Sequence, residues 1–139
     1  MADHLLDSGV LIRHLRGRHG YRALVEQLAG EGQLWIASIS RLEVVAGMRN
    51  HERPATFALL DSLLTCSLDA ETADGAGELI RAWRSRGVVL DPGDSVIAAS
   101  AIRHGLALVT TNAKHFPMPQ LAVLAVDDQG DLHPSSATP

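Results

Sequence analysis

The 139-residue sequence predicts an α/β domain built on a mostly parallel sheet of four to five strands with helices on both faces. Short apolar segments alternate with longer helical patterns along the chain, as in consecutive βαβ units. The strand segments are apolar at successive positions, which marks strands buried on both sides. No internal repeat or linker interrupts this order, and the length suits one core.

Each element follows from its own residues. "HLLD" is a buried strand, and "GVLIRHLRG" is a helix closing at Gly17. "YRALVEQLAGEG" places Leu24, Val25 and Leu28 at helical spacing and is expected to stop at Gly30. "QLWIAS" is a short strand. "SRLEVVAGMRN" is a helix in which Ser40 and Glu43 have the spacing of a capping box. "PATFALLDSLL" is a helix with Pro54 in its first turn, and "TCSLD" is a strand. "AETADGAGELIRAWRSRG" is a long helix stopped by Gly87. "DPGDSVIAASAIRHG" has Asp91 at the cap, Pro92 next and Gly105 at its end. "LALVTT" and "LAVLAV" are apolar strands on either side of "NAKHFPMPQ". The domain is assigned to residues 1–128, and the polar segment 129–139 is expected to be a disordered tail.

Composition narrows the function classes. Apolar residues make up 46% and charged residues 20%, which excludes a disordered chain. No apolar stretch approaches the ~18–20 residues needed to cross a bilayer, and "MADHLLDSG" has no basic leader region. A cytoplasmic protein with no membrane association is therefore expected. The single cysteine, Cys66, reads as a small buried apolar residue. A formal charge of -4 argues against nucleic-acid binding over the whole surface. Yet 11 of the 12 basic residues are arginines, and seven fall between Arg13 and Arg22 or between Arg81 and Arg86. Arginine suits phosphate through its planar two-donor fork, although either cluster also fits a solvated helix face.

The acids are placed suggestively. In an open parallel sheet, ligands bind beyond the carboxyl ends of the strands. Asp7 ends the first strand, Glu43 begins the helix after the second, and Asn112 lies just past the "LALVTT" strand. Asp94 opens the helix before that strand and joins the others if its helix starts beside the same edge. Each acid also has a purely structural reading: Asp7 as a turn residue, Glu43 in the capping box, Asp91 and Asp94 at a helix start. Carboxylates gathered in one pocket repel, so a shared pocket calls for a hard cation such as Mg²⁺ or Mn²⁺.

"LLDSGVLI", "SISRLEVVAG" and "DSVIAASAIRHGLALVTTNAKHF", in this order, resemble PIN-domain ribonucleases of the VapC toxin type over roughly residues 3–126. The resemblance implies a three-layer α/β/α sandwich and Mg²⁺-dependent cleavage of RNA. It also implies a homodimer and a cognate VapB-like antitoxin that inserts a segment into the active site, giving a heterotetramer or larger assembly. By position, Asp7, Glu43 and Asp94 match the family's first three acids, and Ser8 matches the hydroxyl residue after the first. Thr110, Asn112 and Phe116 match a "T-x-N-x-x-D-F" motif, but His115 stands where an Asp is usual.

The resulting expectation is an endoribonuclease of a toxin–antitoxin pair. Asp7 and Asp94 hold Mg²⁺, with Glu43 as a further ligand or as the group that positions or deprotonates water. Asn112 supports this set, and Ser8, Thr110, His115 and Arg13 serve as supporting or substrate-facing residues. The alternative is a weak or inactive PIN-like module acting through antitoxin or partner binding. A receiver-like phosphoacceptor is disfavoured because Ser8-Gly9 follows Asp7 where a second acid is needed, and a D-x-D phosphatase fails at Gly9. A dimer is expected to use the helices containing Phe57 and Trp83.

Overall fold

The computed structural model describes residues 2–135. The strands are β1 (His4–Leu6), β2 (Leu34–Ala37), β3 (Leu64–Cys66), β4 (Ala107–Thr110), β5 (Val123–Val126) and β6 (Leu132–Pro134). The helices are α1 (Ser8–Leu15), α2 (Tyr21–Glu31), α3 (Ser38–Gly47), α4 (Arg53–Asp61), α5 (Ala70–Arg84) and α6 (Pro92–His104). They form one sheet of order β3-β2-β1-β4-β5-β6, parallel except for the antiparallel edge strand β6. The sheet thus has six strands, not four to five. β1 is central, and the chain leaves it toward β2 on one side and β4 on the other. A crevice opens where this order reverses.

The apolar runs are explained by two cores. On β1, Leu5 joins the cluster under α5 and α6, while Leu6 joins the cluster under α1, α2, α3 and α4. Leu108 and Val109 divide in the same way on β4, because successive strand side chains point to opposite faces. Helix α6 lies deep: Ile97, Ala98, Ala99, Ser100 and Ala101 are all buried. Its two buried serines return their hydroxyl hydrogens to carbonyls one turn back, Ser95 to Asp91 at 2.9 Å and Ser100 to Val96 at 2.8 Å. Small residues and self-satisfied hydroxyls let this helix pack closely against its neighbours.

Three local expectations are corrected. Helix α2 runs through Gly30 and ends before Gly32, since its buried face, Tyr21 to Leu28, holds it to the core whatever the local propensity of one glycine. Helix α3 starts at Ser38, two residues before Ser40, so Ser40 and Glu43 form no capping box. Ser40 is instead fully buried, and its hydroxyl has no partner among the described residues. Phe57 and Trp83 are partly buried against the cores, each covered by a guanidinium, Arg53 at 5.0 Å and Arg86 at 4.8 Å.

The third concerns the assigned tail. Leu132–Pro134 pairs with β5 as a strand, and residues 136–139 lie outside the described residues. Asp127 organises the preceding turn: its carboxylate accepts from the backbone N–H of Gln129 and Asp131, and its Oδ2 lies 2.7 Å from His133 Nε2. The buried Tyr21 donates its hydroxyl to the Asp127 carbonyl at 3.0 Å. Gly20 precedes it with φ +82°, and a Cβ there would collide with the Gln129 carbonyl. Gly20→Ala is therefore expected to lower stability by about 2 kcal/mol, from left-handed strain plus the lost fit of this turn. A urea midpoint equal to that of the parent chain would contradict it.

Candidate active site

Asp7 occupies the crevice between β1 and β4. It caps α1, its Oδ1 accepting from the Ser8 N–H at 2.8 Å, and it is 6% exposed. Its Oδ2 accepts from the fully buried Thr110 hydroxyl at 2.8 Å. Thr110 Oγ1 in turn accepts from the Asn112 N–H at 3.0 Å. Both carboxylate oxygens are therefore held, which explains how a strand can end in a buried acid. Thr110 thereby ties the end of β4 to the end of β1 and sets the direction of the chain at Asn112.

Glu43 and Asp94 reach the same pocket from different elements. Glu43 lies in the second turn of α3, beyond the end of β2. Asp94 lies in the first turn of α6, whose cap Asp91 accepts from the Asp94 N–H at 3.1 Å. Because α6 leads directly into β4, it runs against the strands, and its start stands beside their carboxyl ends. This settles the placement left open by the sequence.

The acids act on one another. Although Glu43 stays exposed on one side, loss of surrounding water is the main reason its pKa is raised. The nearby Asp7 charge raises it further, a Ser8 side-chain hydrogen bond opposes the shift, and Asp94 and Asp91 add to it. The half-buried Asp94 is also raised, by desolvation first, then by Asp91 and Asp7, against a lowering by His115. Asp91 was read from the sequence as a cap only. It does cap α6, and it also adds negative charge to the pocket. The cap position and the next acid, three residues apart, carry that signal.

His115 ends a short 3-10 turn, Ala113–His115, and its Nδ1 lies 3.4 Å from Asp94 Oδ2. The residue at the departure from the family pattern thus faces one of the acids. Asn112 is exposed at the start of the same turn. Arg13, half-buried on α1, donates to Thr111 Oγ1 at 3.2 Å and to the Gly9 carbonyl at 3.4 Å. Thr111, not singled out from the sequence, holds this guanidinium at the rim. Gly9 leaves the space: a Cβ there would approach Thr111 Oγ1 to 2.7 Å.

The donor set is compatible with a small hard cation that keeps much of its water. Among the described residues, no three His, Cys, Asp or Glu side chains meet closely enough to hold an ion by themselves. Mg²⁺ characteristically takes one or two carboxylates and several waters, so a loose acid cluster suits it where a closed cage would not. The pKa values of Glu43 and Asp94 are raised by lost hydration first and by the neighbouring acids second, and a nearby divalent ion would favour the ionised form of both. Among the described residues, no helix is long and apolar enough to cross a membrane.

Comparisons with known proteins agree with this architecture. The model of the PIN domain family matches residues 4–118. Ribonuclease VapC10 of Mycobacterium tuberculosis is 38% identical over 114 residues, 82% of this chain and 86% of that protein. Ribonuclease VapC19 of the same organism is 35% identical over 115 residues, covering 82% and 92%. The crystal structure of VapBC2 from Rickettsia felis, bound to a DNA fragment from its promoter, contains a chain that superposes with TM-score 0.77 at 23% identity. The match covers 90% of this chain and 99% of that one, and supports the fold. On the family match and these relatives, the chain belongs to the PIN domain family, within its VapC group.

Proposed function

We propose that this chain is a metal-dependent endoribonuclease and the toxin half of a VapBC-type toxin–antitoxin pair. The observation that carries the reading is the convergence of Asp7, Glu43 and Asp94 on one crevice, each within electrostatic reach of the others. The names of its relatives support RNA as the substrate, since both M. tuberculosis proteins are ribonucleases. Asp7 and Asp94 would hold Mg²⁺, or Mn²⁺ in its place. When bound, such an ion lowers the pKa of water and offsets charge building on phosphate.

The chain's own residues supply the rest. Glu43, whose pKa is raised, takes the proton of the attacking water. Thr110 and Ser8 hold Asp7 in place, and Asn112 accepts a hydrogen bond from pocket water. Arg13 at the rim binds a neighbouring phosphate. The test is cleavage of single-stranded RNA by the purified chain with Mg²⁺, and its loss in excess EDTA or in Asp94→Asn. Cleavage undiminished by EDTA would rule out the metal.

A VapB-like antitoxin is the proposed partner, in keeping with the VapBC pair in the Rickettsia structure. An apolar groove of about 250 Å³ lined by Ile12, Leu15, Val44 and Met48 offers a surface for a partner segment. A homodimer, and a heterotetramer or larger assembly with antitoxin, complete the proposal.

One observation favours a second reading, a weak or inactive module acting through its partner: His115 replaces an acid. Its position beside Asp94 leads to a direct test. His115→Asp adds a negative charge to the pocket and is expected to tighten Mg²⁺ binding roughly tenfold, an interaction change of about 1.4 kcal/mol. Metal titration by calorimetry reads it, and equal affinities would place His115 outside the ion's influence.

A further inference from the structure

A second pocket shares Asp94 and His115 with the candidate site, but its apolar lining and Lys114 have no role in the mechanism above. It encloses about 230 Å³, and its lining combines the apolar Val88, Val89, Leu90 and Pro117 with Asp94, His115 and Lys114. Val89 is 91% exposed and Val88 37%, among the most exposed apolar side chains of the described residues.

That exposure is held in place at both ends of a short loop. Gly87 turns the chain out of α5 with φ +78°, and the Val88 N–H returns to the Trp83 carbonyl at 3.0 Å. Arg86 lies over the Trp83 ring, Leu90 is buried, and Asp91 caps α6. The two valines are thus suspended between anchored residues, within a few positions of Asp94. Lys114 is the only lysine in the chain, and it takes part in none of the ion pairs among the described residues.

An apolar shelf, an unengaged cation and a candidate catalytic acid in one pocket match a flexible single strand, which offers an unstacked base beside a phosphate. We propose that this pocket is a subsite for one unstacked base of single-stranded RNA, with Val88 and Val89 against the base and Lys114 on the adjoining phosphate. The inference rests on the ribonuclease reading and deepens it. Charge alone does not account for the site, because Asp91 and Asp94 would repel a backbone that brought no base to bury.

The experiment measures binding by fluorescence anisotropy, in an Asp7→Asn background so that RNA is not consumed. The probes are a short fluorescein-labelled single-stranded RNA and a ribose-phosphate chain of the same length without bases. Val89→Ser, at a position too exposed to disturb folding, is expected to weaken RNA binding about fivefold through lost apolar contact and to leave the baseless chain unchanged. Lys114→Ala is expected to weaken both. The proposal is overturned if Val89→Ser affects neither probe, or both equally, or if no RNA binding is measurable. It is also overturned if Val89→Ser changes self-association by light scattering while RNA binding stays intact, which would make the valines a protein interface. Loss of the cleavage reading leaves this binding measurement standing, so the two can fail separately.

Discussion

Asp7→Asn is expected to reduce RNA cleavage by about a hundredfold or more while the fold persists. Asparagine retains an acceptor for the Ser8 N–H, and its amide can donate to the Thr110 oxygen, so the cap and the β1–β4 tie survive. What disappears is the negative charge, and with it the pull on a cation. Asp7→Ala separates the two roles, because it also removes the cap and leaves the buried Thr110 hydroxyl without its acceptor. That variant is expected to lose about 1–3 kcal/mol of stability in addition to activity. Cleavage rates and urea midpoints of both variants check this pair of outcomes. Normal cleavage by Asp7→Asn would reduce the residue to a helix cap.

Glu43→Gln should do the opposite to stability. The folded protein raises the pKa of Glu43, so its ionised form is disfavoured relative to the unfolded chain. The stabilising contribution of such a group is present below the unfolded pKa, near the reference 4.5, and is lost as pH rises through the folded value. At neutral pH the glutamate therefore opposes folding, and glutamine removes that opposition. The gain is on the order of a few tenths of a kcal/mol, because the side chain remains partly in water. Cleavage should fall by about a hundredfold in the same variant, since glutamine cannot accept the proton. The pH profile carries the same sign. Glu43 and Asp94 must be ionised to act, and both are raised, so cleavage should fade on acidification at a pH above the ordinary carboxylate range. A variant that is less stable than the parent, or a parent profile with its acid limb at ordinary carboxylate values, would contradict this account.

Much of the fold was legible because it rests on strong local signals. Asp91-Pro92 at the start of α6 and Gly105 at its end are a cap, a fixed φ and a left-handed stop, and these act within a few residues. The continuous apolar strands announced a sheet covered on both faces. The Ser40–Glu43 spacing misled because the same pattern occurs inside a helix, and only packing against the sheet decides where α3 begins. The polar residues 129–135 misled because β6 is held by backbone pairing to β5, by the Asp127–His133 contact and by the single apolar Leu132 packed against the core, too little apolar character to mark a strand.

The candidate site divides along the same line. The sequence alone supplied the acids, their places at strand and helix ends, and the departure at His115, since these are matters of residue type and position along the chain. Tertiary structure alone decided that Asp94 joins Asp7 and Glu43, that Thr110 binds Asp7 across 103 residues, and that His115 faces Asp94. The reason is physical: pKa values, pockets and hydrogen bonds between distant residues depend on separations in space, and those are set by how helices pack across the sheet, which no local pattern encodes.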